Sequence, residues 1–160
     1  MTLELVPVTL TEARRLVAEH HEHSEAPLSW KFGTGIAVDG TLVGVAMVGR
    51  PSARALDQHR SVEITRVCLT EAGAYRNAAS MLYGAACRMA AAGGYRVAYT
   101  YTLEHEDAAC VRAAGFELDE ELGERPSWST PARPRYEATL FGERKRSPGP
   151  KRRWRRALTA

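Results

Sequence analysis

At 160 residues, with 44% hydrophobic and 26% charged residues, the chain has the size and composition of one globular domain with a real core. Its net charge of +3 is unevenly spread, because residues 143–160 hold eight Lys/Arg against Glu143 alone and leave a mildly acidic remainder. No stretch approaches the roughly eighteen apolar residues of a membrane span, and MTLELVPVTL has no basic segment leading into an apolar run, so neither a span nor a secretory leader is expected and the expected compartment is the cytoplasm.

Thr9 opens a predicted helix, with Glu12 three residues on completing a capping box. Leu10, Ala13, Leu16, Val17 and His20 recur at helical spacing, which turns His20 inward and His21 toward solvent. His20, His21 and His23 are read either as a solvated helix end, favourable at that end of the dipole, or as a general base facing a cleft. A metal site facing the cleft is a further reading, but the three have no defined ligand spacing or carboxylate partner and no metal ligand is assigned. Trp30 and Phe32 are expected to close the core beneath them.

Asp39-Gly40 between Gly35–Val38 and Thr41–Gly49 predicts a type I′ hairpin, hence two antiparallel neighbours, the second apolar on both faces and central. Arg50 and Arg54 follow in a polar connection, as solvated charges or as a clamp for an acidic substrate group. Strand Ser61–Leu69 alternates with Glu63 on one face and Arg66 on the other, and charges in a central strand need a partner or a function.

A polar loop, Thr70–Asn77, then feeds helix Ala78–Ala92, a Gly-Gly stop, strand Tyr95–Thr102 and helix Glu104–Ala114. This β-α-β unit predicts parallel strands with a right-handed crossover. A loop running from a strand end into a helix N-terminus supplies backbone donors for phosphate, here around Arg76–Ser80. Tyr99 and Tyr101 approach the strand's carboxyl end, where open α/β sheets hold ligands. Beyond Phe116 lie a long loop with Trp128, read as a partial lid, a last strand Arg135–Phe141, and a basic run with no core face, read as a tail disordered until it meets something acidic. The three cysteines, Cys68, Cys87 and Cys110, form no C-x-x-C and are expected reduced and buried.

The segments EITRVCLT, RNAASMLYGAACRMA, GYRVAYTYT and RAAGF together resemble the core of the GNAT acyltransferase fold. More closely they resemble a group of phage and prophage GNAT-like proteins. HHEHS with WKFG, and GRPSAR, belong to the same resemblance, which covers roughly residues 15–135. A looser kinship is to the phage Mom type, which modifies adenine in DNA. The implied architecture is a single-domain α/β protein, a mixed sheet with flanking helices, an antiparallel N-terminal hairpin and a central β-α-β unit over residues 1–142, followed by the tail, 143–160.

The resemblance implies an acyl-CoA-dependent acyltransferase, with pyrophosphate on Cys68, Leu69, Arg76, Asn77, Ala78, Ala79 and Ser80. It implies His20, Glu63 and Tyr101 as catalytic candidates and His23, Arg50, Arg54, Arg66 and Tyr99 as contacts to a small-molecule or nucleic-acid acceptor. Two positions depart from the family pattern. The loop frame from Arg76 has no glycine, and Val111 stands where the family often has a tyrosine that protonates the thiolate. The alternatives are a DNA nucleobase-modifying enzyme of the same fold, with the tail on DNA, and a nucleotide- or nucleic-acid-binding module without turnover.

Overall fold

The computed structural model describes residues 2–20, 27, 29–123, 138–139, 142–143 and 149–159. Strand β1 (Leu3–Pro7) leads into α1 (Leu10–His20), the hairpin β2 (Phe32–Val38) and β3 (Thr41–Gly49), then β4 (Ser61–Leu69), a 3-10 turn at Glu71–Gly73, α2 (Ala78–Ala92) and β5 (Val97–Leu103). After these come α3 (Ala109–Ala113), β6 (Glu117–Leu122), a small pair β7 (Ala138–Thr139) and β8 (Gly142–Glu143), and β9 (Lys151–Ala157). The large sheet runs β1-β2-β3-β4-β5-β9-β6, and only β4 and β5 pair in parallel.

Local signals set the first half. The Thr9 N–H donates to Glu12 Oε2 at 2.8 Å and the Glu12 N–H to Thr9 Oγ1 at 3.2 Å, a complete capping box. Asp39 and Gly40 both take positive φ, 48° and 82°, as a type I′ turn requires. Helix α2 buries Ala78, Leu82, Ala85, Ala86 and Ala90 on one sheet face, together with Ile36, Val62, Ile64 and Trp154. Each large aliphatic there contributes about 1.5–3 kcal/mol of burial. On the other face α1 packs Ala13, Leu16 and Val17 on Val45, Met47 and Cys68. Trp30 packs against this second core and Phe32 against the first. Cys68 and Cys87 are buried and Cys110 half-buried, none in a disulfide.

Gly33 marks where β2 and β3 leave no room. A Cβ there would meet the Ala46 carbonyl oxygen at 2.7 Å and the Trp30 ring at 2.5 Å. Gly33→Ala is expected to lower stability by about 1–3 kcal/mol through overpacking, read as a lower urea midpoint with an unchanged slope.

The structure corrects three expectations. Within the basic run, Lys151–Ala157 is no tail: β9 lies inside the sheet between β5 and β6. Its partner, Glu117–Leu122, is a strand and not the start of a loop. Helix Glu104–Ala114 shrinks to α3, because Glu106 and Asp107 accept from the Leu103 and Ala109 N–H groups and hold a turn there. The predicted lid and Trp128 lie outside the described residues; of the predicted strand Arg135–Phe141, Ala138–Thr139 forms β7.

Candidate active site

The opening between β4 and β5 starts from an irregularity in β4. The register with β3 passes from Met47↔Arg66 to Val48↔Ile64, leaving Thr65 as an extra residue, and its hydroxyl donates to the Met47 carbonyl at 3.2 Å. Such a bulge bends a strand and strengthens its twist. The parallel pairing correspondingly spans only Ser61–Glu63 with Val97–Tyr99, followed by a hydrogen bond from Thr100 Oγ1 to the Ile64 carbonyl at 3.0 Å. Beyond it β4 continues to Leu69 and β5 to Leu103 without pairing to each other, which leaves a wedge between them.

Past the end of β4 the chain enters α2. Asn77 at its N-terminus is left-handed, φ 70°, and caps no backbone group with its side chain. The Ser80 hydroxyl donates to the Asn77 carbonyl at 2.9 Å and the Ala78 N–H to the Tyr75 carbonyl at 3.1 Å, which leaves the Ala79 and Ser80 N–H groups uncapped. Arg76 and Asn77 are exposed. Ala78 turns its methyl into the core and Met81 packs against it, while Ala79 is half-buried. Uncapped donors beside an exposed guanidinium suit a phosphate group. Cys68 faces the α1 core and Leu69 the α2 core, which leaves their backbone, and not their side chains, for a ligand.

At the closed end of the wedge lies Glu63, 7% exposed. Its Oε2 accepts from the Ser52 N–H at 2.7 Å. Burial raises the carboxyl's pKa, while Ser52, Lys151 and Arg66 pull the other way. Burial likewise lowers the pKa of Arg66, against Cys68, Glu63 and Tyr83. Tyr101 faces the same side: burial and the Glu63 charge raise its pKa, opposed by Arg153 and the Ser52 side chain. Tyr99 is buried under the Arg153 guanidinium, 5.9 Å from the ring centroid. The structure therefore brings Glu63, Tyr99 and Tyr101 together, and adds Ser52, Lys151 and Arg153, which the sequence reading did not single out. The available signal was one Trp within a seven-residue basic segment, KRRWRRA, which can pair with the acidic segment ELDEEL.

Other candidates stand elsewhere. His20 is 39% exposed with Glu19 as its neighbour at 3.8 Å, which overturns its inward placement. Periodicity gives a side chain's direction around the helix, not whether a neighbour reaches that far along the axis. His21 and His23 lie outside the described residues. Arg50 and Arg54 are exposed loop residues, and the Arg50 N–H donates to Ser29 Oγ. Val111 is buried in the α2 core. The charges assigned to a DNA-seeking tail are largely in β9, where Arg152 meets Glu121 at 3.5 Å and Arg153 meets Asp119 and Glu120 at 2.6 and 2.7 Å. Among the described residues no cluster of His, Cys, Asp or Glu could hold a metal, and no helix is long and apolar enough to cross a membrane.

Acetyltransferases are among the solved structures that share this architecture. The ribosomal-protein-S18-alanine N-acetyltransferase of Escherichia coli superposes with a TM-score of 0.67 at 8% identity, over 99% of this chain and 96% of that one. The fold is GNAT-like. Ard1 from Thermoplasma volcanium gives 0.65 at 11% identity, over 100% of both chains. A Bacillus subtilis acetyltransferase in complex with CoA gives 0.60 at 17%, over 98% of this chain and 97% of that one. No protein-family model and no curated protein matches the sequence.

Proposed function

We propose that the protein is an acyl-CoA-dependent acyltransferase acting on an amine. The observation that carries this reading is the β4/β5 wedge, with uncapped α2 donors beyond its open end and a buried carboxylate at its closed end. The fit to CoA rests on donor chemistry: exposed Arg76 and the Ala79 and Ser80 N–H groups at the start of α2 would hold pyrophosphate. Acyl-CoA, when bound, supplies the thioester and its leaving thiol. Glu63 takes a proton from the amine as nitrogen bonds to the acyl carbon. The Tyr101 hydroxyl gives a proton to sulfur as the carbon–sulfur bond breaks, the task for which the Val111 position has no hydroxyl. Exchange with water returns both side chains to their starting state.

The pH dependence follows from the two shifts. Glu63 must be ionised, and burial sets its pKa above 4.5, so the acid limb of the rate profile is expected above the ordinary carboxylate range. Tyr101 must keep its proton, and its pKa lies above 10, so an alkaline loss is expected only beyond that value.

Calorimetric titration with CoA, followed by mass spectrometry of an amine panel incubated with acetyl-CoA, tests the reading. Binding by the wild type and a roughly tenfold or greater rise in Kd for Arg76→Ala are expected, the scale of a lost charged hydrogen bond. A wild type that binds no CoA, or an Arg76→Ala variant that binds it equally well, would remove the CoA assignment.

A further inference from the structure

We propose that Arg153 is a positioning residue, which holds the Tyr101 hydroxyl at the wedge beside Glu63 and is itself clamped by Asp119 and Glu120. Its catalytic consequence rests on the proposed function; the placement does not. Arg153 and Tyr101 are register partners on adjacent strands, so their side chains leave the same face of the sheet. The Arg153 Nε donates to Asp119 Oδ2 at 2.6 Å and a terminal nitrogen lies 2.7 Å from Glu120 Oε2. The β6 bulge between Leu118 and Glu120 inserts Asp119, which lets two successive acids meet one guanidinium.

The same guanidinium lies over the Tyr99 ring, 5.9 Å from its centroid, on the sheet face it shares with its register partner Tyr101. At 16% side-chain exposure it is screened far less than a surface charge. A planar fork held on one side and directed on the other is a use that lysine's single ammonium cannot reproduce. The groups acting on Tyr101 are Glu63 from β4, Arg153 from β9 and Ser52 from the β3–β4 connection. Lys151 and Arg66 act in turn on Glu63, and Asp119 and Glu120 on Arg153. Among these Arg153 is the cation that favours the ionised phenol, and Glu63 opposes it.

Ultraviolet titration of tyrosinate in the full chain tests this without any acyl-CoA. The difference between a protein and its Tyr101→Phe counterpart isolates the Tyr101 transition. With Arg153→Met the midpoint is expected to rise by about one pH unit, the scale of losing a nearby opposite charge. Should Arg153→Met fail to fold, Arg153→Lys decides: an ammonium tied to Asp119 and Glu120 lacks the second arm, and a smaller rise is expected. A folded variant with an unchanged midpoint overturns the proposal and leaves Arg153 as a seam between β6 and β9.

In turnover the folded variant is expected to lose about tenfold in kcat with the KM for acyl-CoA unchanged. Lost kcat and raised KM in equal measure would speak against positioning. Absence of transfer by the wild type would count against the proposed function while leaving the titration result standing.

Discussion

Ending the chain at Phe141 is expected to abolish cooperative folding. Strand β9 pairs with β5 over seven residues, Val97↔Ala157 to Leu103↔Lys151, and on its other edge carries β6. Without it β6 loses its partner strand, and the Trp154 side chain leaves the main core. Trp154 is buried and its Nε1 donates to Thr102 Oγ1 at 2.9 Å, in a buried bond. Trp154→Ala alone is expected to cost about 3–5 kcal/mol, a large part of the roughly 5–15 kcal/mol that holds a domain folded. Circular dichroism during urea unfolding reads both changes. A chain ending at Phe141 that unfolds in one transition at the full-length midpoint would refute the central placement of β9.

Glu63→Gln is expected to reduce kcat by about a hundredfold to ten-thousandfold, the range for removing a general base, while making the fold more stable at neutral pH. The sign follows from linkage. The folded state binds the Glu63 proton more tightly than the unfolded state, because burial raises the pKa from 4.5. Stability from this group is therefore present at low pH and is lost as pH rises through the interval between 4.5 and the folded value. Glutamine stays neutral, and its carbonyl can still accept from the Ser52 N–H. Thermal unfolding at pH 5 and pH 8 should show a larger gain for the variant at the higher pH. Equal kcat in the two proteins would take Glu63 out of the mechanism, and a variant less stable at both pH values would contradict its burial as the cause.

Much of the scaffold is written in short-range pattern. Thr9 with Glu12, Asp39-Gly40 and the spacing of Leu82, Ala86 and Ala90 each specify a cap, a turn or a buried face within a few residues. The extents of β4 and α2, the antiparallel hairpin and the parallel β4/β5 pair were legible for that reason. Strand β1 was less so: its residues are half-buried or exposed, Leu5 among them, and an edge strand of this kind has no strict alternation to read.

The candidate site divides in the same way. Glu63 was conspicuous because a charge in an apolar strand demands a reason, and the α2 entry because a strand, a polar loop and a helix imply free donors. His20 was misread because periodicity carries no information about what lies opposite the last turn. The remainder was decided by tertiary structure. LDEEL and KRRWRRA each look like a solvated charged segment, and become paired strands of the sheet only when they meet: Asp119 and Arg153 are 34 residues apart in sequence and 2.6 Å apart in space. Period and turn chemistry are local properties that a sequence states outright. Which segment neutralises which, and where a bulge opens the sheet, depend on pairings between distant segments, and those exist only once the sheet has closed around β9.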